Sequence, residues 1–142
     1  FFFFFGHAIY NSPCPTHEVN SNTAGPVAGS EFFIFESVQY PEAALLIKER
    51  KLLITTDSIQ YYSDWSYFSW FTKLVFRLLG FKIGLNIGGP WLKRVTPKGK
   101  TLKGDFERLL AMDFDAIVAA HGGLIQSGAK ELLRKEIRKV FS

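Results

Sequence analysis

Two runs of small and β-branched apolar residues, each closed by a lone metal-competent side chain, constrain this fold more than anything else in the sequence. They are Lys51-Leu-Leu-Ile-Thr-Thr-Asp57 and Asp115-Ala-Ile-Val-Ala-Ala-His121. Such runs read as strands covered on both faces, which points to an α/β architecture. A polar residue at the carboxyl end of a buried strand sits on the sheet rim, where α/β folds place their ligands. An Asp and a His brought to one rim can bind a divalent metal. Two are too few to hold it, because hydrolytic zinc sites keep three protein ligands and an open position.

The 142 residues are one domain's worth of chain or a piece of a larger domain, and 47% hydrophobic with 21% charged is a globular balance. The net charge of +4 is modest. Two basic blocks, Lys93–Lys103 and Lys130–Lys139, lack an aromatic-interleaved motif. They read as a solvated loop and a solvated helix face, and nucleic acid is not an expected partner. Cys14 is the only cysteine, so no internal disulfide or Cys-based zinc cluster can form. That fits a reducing, cytoplasmic setting. Phe1–Phe5 is too short to span a bilayer and lacks the basic flank of a signal peptide. With Phe rather than Met at position 1, it reads as the edge of a fragment or of a mis-predicted gene start.

Residues 1–30 read as an irregular N-terminal arm, rich from Gly6 onward in Pro, Gly, Ser, Asn and Thr. His7, Cys14 and His17 fall in it and read as ordinary loop residues. Order is expected over 31–142. Strands are expected at Glu31–Glu36, Glu42–Ile47 and Lys51–Thr56, with Lys48-Glu-Arg50 as a charged hairpin turn. A helix is expected from about Ser66 to Leu79, stopped by Gly80. Ser66, Ser69, Thr72, Lys73 and Arg77 would form its polar stripe. Phe68, Phe71, Leu74, Val75, Leu78 and Leu79 would pack on the domain or over the rim. Lys73 and Arg77 are few charges for lipid binding, which argues against a membrane role. Gly84–Pro90 has three glycines but not the spacing of a dinucleotide fingerprint. Thr101 can cap a helix to about Met112, Ala116–Ala120 a strand, and Ser127 a closing helix to about Phe141.

Asp57 can accept a metal, act as a base, or take a turn amide such as that of Ile59. His121 is the stronger functional candidate, because packing does not need it and Gly122 and Gly123 leave room for a ligand. Asp64, Asp113 and Asp115 read as turn carboxylates. Ser58 has no Gly-x-Ser-x-Gly elbow around it, so serine hydrolase chemistry is unsupported.

A hairpin closing on Leu-Leu-Ile-Thr-Thr-Asp57, a helical segment, then strand, His121-Gly and helix resembles the C-terminal half of the metallo-β-lactamase fold. The resemblance covers about Glu31 to Phe141. Pro41-Glu-Ala-Ala44, Gly89-Pro-Trp-Leu92 and Ala119-Ala-His-Gly122 are similar to an uncharacterised metallo-hydrolase-like branch of that superfamily. The resemblance implies part of an αββα sandwich, a mixed sheet of about five strands with about three helices. It implies that Asp57 bridges two metals, zinc or iron, and that His121 binds one of them. Water activated there would attack an ester, amide, phosphoester or thioester-type bond.

The pattern is incomplete. The family's His-x-His-x-Asp-His cluster has no counterpart in this sequence. Gln39 stands where a mid-chain His is usual, and a neutral amide is the weaker ligand. Thr56 replaces the usual Gly. The expected function is therefore a hydrolase-like fragment with an incomplete metal site and absent or impaired activity. The alternative is a non-enzymatic remnant or interaction domain using the aromatic segment 61–71. A half-sandwich bares an inner sheet face, so a missing N-terminal half or a homo-oligomer is expected to cover it.

Overall fold

A computed structural model describes residues 19–20 and 23–142. Phe1–Phe5, His7, Cys14 and His17 lie outside the described residues. Two apolar runs meet first, β1 (Ser30–Ile34) and β2 (Ala43–Ile47), antiparallel with Phe33 opposite Ala44. Lys48–Arg50 forms a short 3-10 turn, and Lys51 closes it at φ 46. A left-handed lysine does there what glycine does in most such turns. β3 (Leu52–Thr55) returns antiparallel to β2.

The chain then leaves the sheet through β4 (Ile59–Tyr62), α1 (Trp70–Leu78), β5 (Gly84–Ile87), α2 (Gly89–Val95) and α3 (Lys103–Ala111). It returns as β6 (Ala116–Ala119), β7 (Leu124–Ile125) and α4 (Ala129–Val140). The main sheet runs β1-β2-β3-β6-β7, with β3 and β6 parallel and the other neighbours antiparallel. β4 and β5 make a separate antiparallel ribbon. The mixed α/β sheet is the expected one.

Period-two alternation sends Leu46, Leu53, Ile117 and Ile125 into the core, where they meet Phe106 and Leu109 of α3 and Leu133 and Ile137 of α4. Ile59, Leu85 and Ile87 of the ribbon close the same cluster. Burying each such side chain contributes about 1.5–3 kcal/mol. The connection after β1 is pinned by Asp105, a buried carboxylate on α3. It accepts the amides of Glu36 (3.2 Å) and Ser37 (2.9 Å) and the Arg108 guanidinium (2.8 Å). Burial pushes its pKa up, but these hydrogen bonds outweigh burial and hold it below the usual carboxylate value.

Several elements depart from expectation. α1 starts at Trp70 because Ser69, not Ser66, accepts the Thr72 amide (3.1 Å), while Ser66 is held in a turn by Asp64. Its face is reversed as well. Phe71, Leu74, Leu78 and Leu79 are exposed, and α1 buries none of its residues fully. Phe76 turns inward instead, against Tyr62, Phe68 and Phe81. The helix rests on an aromatic cluster rather than on the sheet. β5 and α2 occupy the glycine-containing segment for which no element was expected. Asn86 makes β5 tolerable there, because its side chain is satisfied by Lys82 and Gly84 backbone (2.8–2.9 Å). α4 is capped by Asp115 rather than Ser127. Its carboxylate takes the Gly128 amide (2.9 Å) and its carbonyl takes that of Ala129 (2.9 Å).

Candidate functional site

β3 and β6 are parallel neighbours with Thr55 opposite Ala119. Asp57 and His121 each lie two residues beyond those partners, so the register itself delivers both to one rim. The Ala120 amide donates to the Thr55 carbonyl (3.0 Å) and carries the pairing almost to the site. At the rim, His121 Nε2 lies 2.9 Å from Asp57 Oδ1, with side chains 57% and 51% exposed. Each side chain partners the other, rather than Asp57 serving only as a cap for its own turn.

The backbone beneath the pair is tightly fixed. The Tyr61 amide donates to the His121 carbonyl (3.2 Å), and Tyr61 bridges Gly122 in parallel. On the Asp57 side, the buried Thr55 hydroxyl donates to the Ile59 carbonyl (2.9 Å), and the Gly88 amide donates to the Ser58 carbonyl (3.2 Å). Gly88 is needed there, since a Cβ would come within 2.5 Å of the Asp57 carbonyl oxygen. The two loops that carry the pair are thus held by β4 and by the turn into α2.

Beside the pair stands a residue that sequence reasoning missed. Glu42 Oε2 accepts the Trp91 indole N–H (3.1 Å), and Oε1 accepts the Thr56 hydroxyl. Burial pushes its pKa up from 4.5 to about 7; the Trp91 hydrogen bond opposes this, and the Asp57 charge adds to it. The usable signal was a carboxylate placed directly before the apolar run Ala43–Ile47, where the chain enters the sheet. Between pH 4.5 and about 7 the folded state binds more protons at Glu42 than the unfolded state does. Stability therefore falls as pH rises through that window, by up to about 3 kcal/mol. Glu42→Gln removes the charge and keeps an acceptor for Trp91. In urea unfolding across pH, its advantage over the wild type is expected to grow from acid to alkaline conditions. A difference independent of pH would contradict the buried-carboxylate account.

Other sequence candidates are placed elsewhere. Gln39 is not brought to the pair by its hydrogen bonds. Its amide N–H meets the Val95 carbonyl (2.8 Å), and its side chain donates to the Arg94 carbonyl. Asp64 accepts from Ser66, Asp113 pairs with Lys51 (3.1 Å), and Asp115 caps α4. These are the turn and surface carboxylates that were expected. A cleft of about 220 Å³ adjoins Asp57, lined also by Gln60, Phe81, Pro90, Trp91 and Arg94.

Imidazole nitrogen and carboxylate oxygen suit a divalent metal in kind. They fall short in number: among the described residues no group of three or more His, Cys, Asp or Glu could hold a metal ion. No hydrolytic step follows from two donors that already satisfy each other.

The chain has part of a metallo-β-lactamase fold. Its structure matches the crystal structure of an archaeal metallo-beta-lactamase superfamily protein from Sulfolobus tokodaii, with a TM-score of 0.52 and 16% sequence identity. The match covers 89% of this chain and 40% of that one, so the chain spans less than half of that protein's length. At this identity the likeness is one of fold. No protein-family model matches the sequence, and no curated protein matches it.

Proposed function

We propose that this chain is the C-terminal half of a metallo-β-lactamase-like hydrolase domain. Asp57 and His121 are two of its metal ligands, and the chain by itself is catalytically silent. The observation that carries this reading is the 2.9 Å approach of Asp57 and His121 at the ends of neighbouring parallel strands. In a complete domain of this kind, zinc or iron lowers the pKa of a bound water and so supplies the nucleophile. The remaining ligands, and the cover for the open sheet face, come from the other half of the fold. A lone cysteine fits the reducing, cytoplasmic setting proposed for it.

Metal titration of the purified chain, by calorimetry and by elemental analysis after dialysis, tests this. Weak binding is expected, below one equivalent retained, with affinity falling at least about tenfold in His121→Ala. Both side chains are exposed, so the melting temperature should stay put. Unchanged metal affinity in His121→Ala and in Asp57→Ala would sink the ligand assignment. Hydrolysis of activated esters by the chain alone would sink the silence. The second reading, a scaffold kept for interaction through the aromatic segment, is favoured by the outward face of α1.

A further inference from the structure

An amphipathic helix normally turns its apolar side inward, and α1 does the opposite. Trp70, Phe71 and Leu78 are 77%, 60% and 78% exposed, and Leu74 is exposed beside them. At about 3.6 residues per turn, positions i, i+1, i+4 and i+8 share one side of a helix. That side faces away from Phe76, the residue that seats α1 on Tyr62, Phe68 and Phe81. Tyr67, just before the helix, is 97% exposed. The result is a convex aromatic ridge rather than a groove.

The charge around the ridge decides what covers it. From Trp65 to Gly104 the sequence contains eight Lys and Arg and no Asp or Glu. The rest of the chain therefore carries the excess of acid. Lys73 and Arg77 lie on α1 itself, Arg77 above the Trp65 ring (5.8 Å). The end of α1 adjoins α2, with the Leu79 carbonyl 3.3 Å from where a Cβ on Gly89 would stand. Exposed Lys93 and Arg94 follow on that helix. Lys82 of that segment is paired with Glu136, which leaves Lys73 and Arg77 on α1, with Lys93 and Arg94 on the adjoining α2, as the cations beside the ridge. Two copies meeting ridge to ridge would bring like charges together, which disfavours self-association here.

We infer that α1 docks the protein on an anionic membrane surface, laying Trp70, Phe71, Leu74 and Leu78 into the headgroup boundary. It lies on the bilayer and does not cross it: among the described residues no helix is long and apolar enough to span. Aromatic residues favour that interface, and surrounding cations are drawn to anionic headgroups.

The test is co-sedimentation of the full chain with vesicles of phosphatidylcholine, with and without phosphatidylserine, alongside tryptophan emission. Trp65 and Trp91 are buried, so Trp70 is the reporter. Binding is expected only with phosphatidylserine, with a blue shift of emission, and it should weaken in high salt. Phe71→Ser with Leu78→Ser should lower partitioning at least about tenfold while leaving far-UV circular dichroism unchanged. Leu132→Ser, which removes an exposed apolar side chain from α4 instead, should bind like the wild type. Equal binding to both vesicle types, or no effect of the double substitution, overturns the inference. So does a dimer that dissociates in the double variant without any vesicle binding. None of these outcomes bears on metal affinity at Asp57 and His121.

Discussion

Gly122→Ala is expected to lower the urea midpoint sharply and to pull His121 away from Asp57. Gly122 sits at φ 107, a region that side-chain-bearing residues rarely enter. A Cβ there would stand 1.7 Å from the Tyr61 carbonyl oxygen and 3.2 Å from the Tyr61 nitrogen. Neither atom can step aside cheaply, because Tyr61 sits inside β4, which is paired with β5 on both sides of it, Gln60 opposite Asn86 and Tyr62 opposite Gly84. The backbone must yield, and the Tyr61 amide then loses the His121 carbonyl it holds at 3.2 Å. Strain together with a lost backbone hydrogen bond should cost about 3 kcal/mol or more. Gly123→Ala is the internal control. A Cβ at Gly123 meets the Tyr61 ring at 3.7 Å and the Tyr61 carbonyl oxygen at 4.0 Å, both ordinary contacts. That variant should stay within about 1 kcal/mol of the wild type. If both variants unfold alike, the clamp between β4 and the His121 turn is not what positions the imidazole.

The pairing of Asp57 with His121 was legible because both runs obey one rule: a strand of small and β-branched residues ending in a metal-competent side chain. Parallel register then does the rest, since equal offsets from Thr55 and Ala119 place both residues on the same rim. Glu42 was not legible, because its character comes from Trp91 and Thr56, residues distant in sequence that only folding brings close. The face of α1 was misread for a related reason. Periodicity finds an apolar stripe but not its direction, and here Phe76, off that stripe, makes the inward contact. β5 was hidden by its glycines and by Asn86, whose polarity is absorbed by neighbouring backbone. The cap of α4 was assigned to Ser127 by local rule. A carboxylate from the other side of β6 and β7, Asp115, took the role.

The same alternation that fills the core leaves a second apolar surface, and substitution there should change the state of the chain in solution. Leu45, Ile54, Val118 and Leu124 form one cross-strand row, each directly opposite the next. They alternate with Leu46, Leu53, Ile117 and Ile125, which face the helices and the ribbon, so the row looks the other way. Ile54 is 37% and Leu124 48% exposed, with Leu45 and Val118 half-buried between them. An apolar row of this kind on a sheet face calls for a partner to cover it. Without it, copies of the chain are expected to associate through the sheet, as contiguous apolar surface does in water. Ile54→Lys with Leu124→Lys places two charges in the row at sites already open to solvent. Sedimentation should therefore move from oligomer to monomer, with association weakened at least about tenfold and the circular dichroism melt retained. Phe71→Ser with Leu78→Ser should leave the oligomer intact, because the ridge on α1 is a separate surface. A wild-type chain that stays monomeric at high concentration, or an oligomer indifferent to both lysines, would show that this row needs no cover.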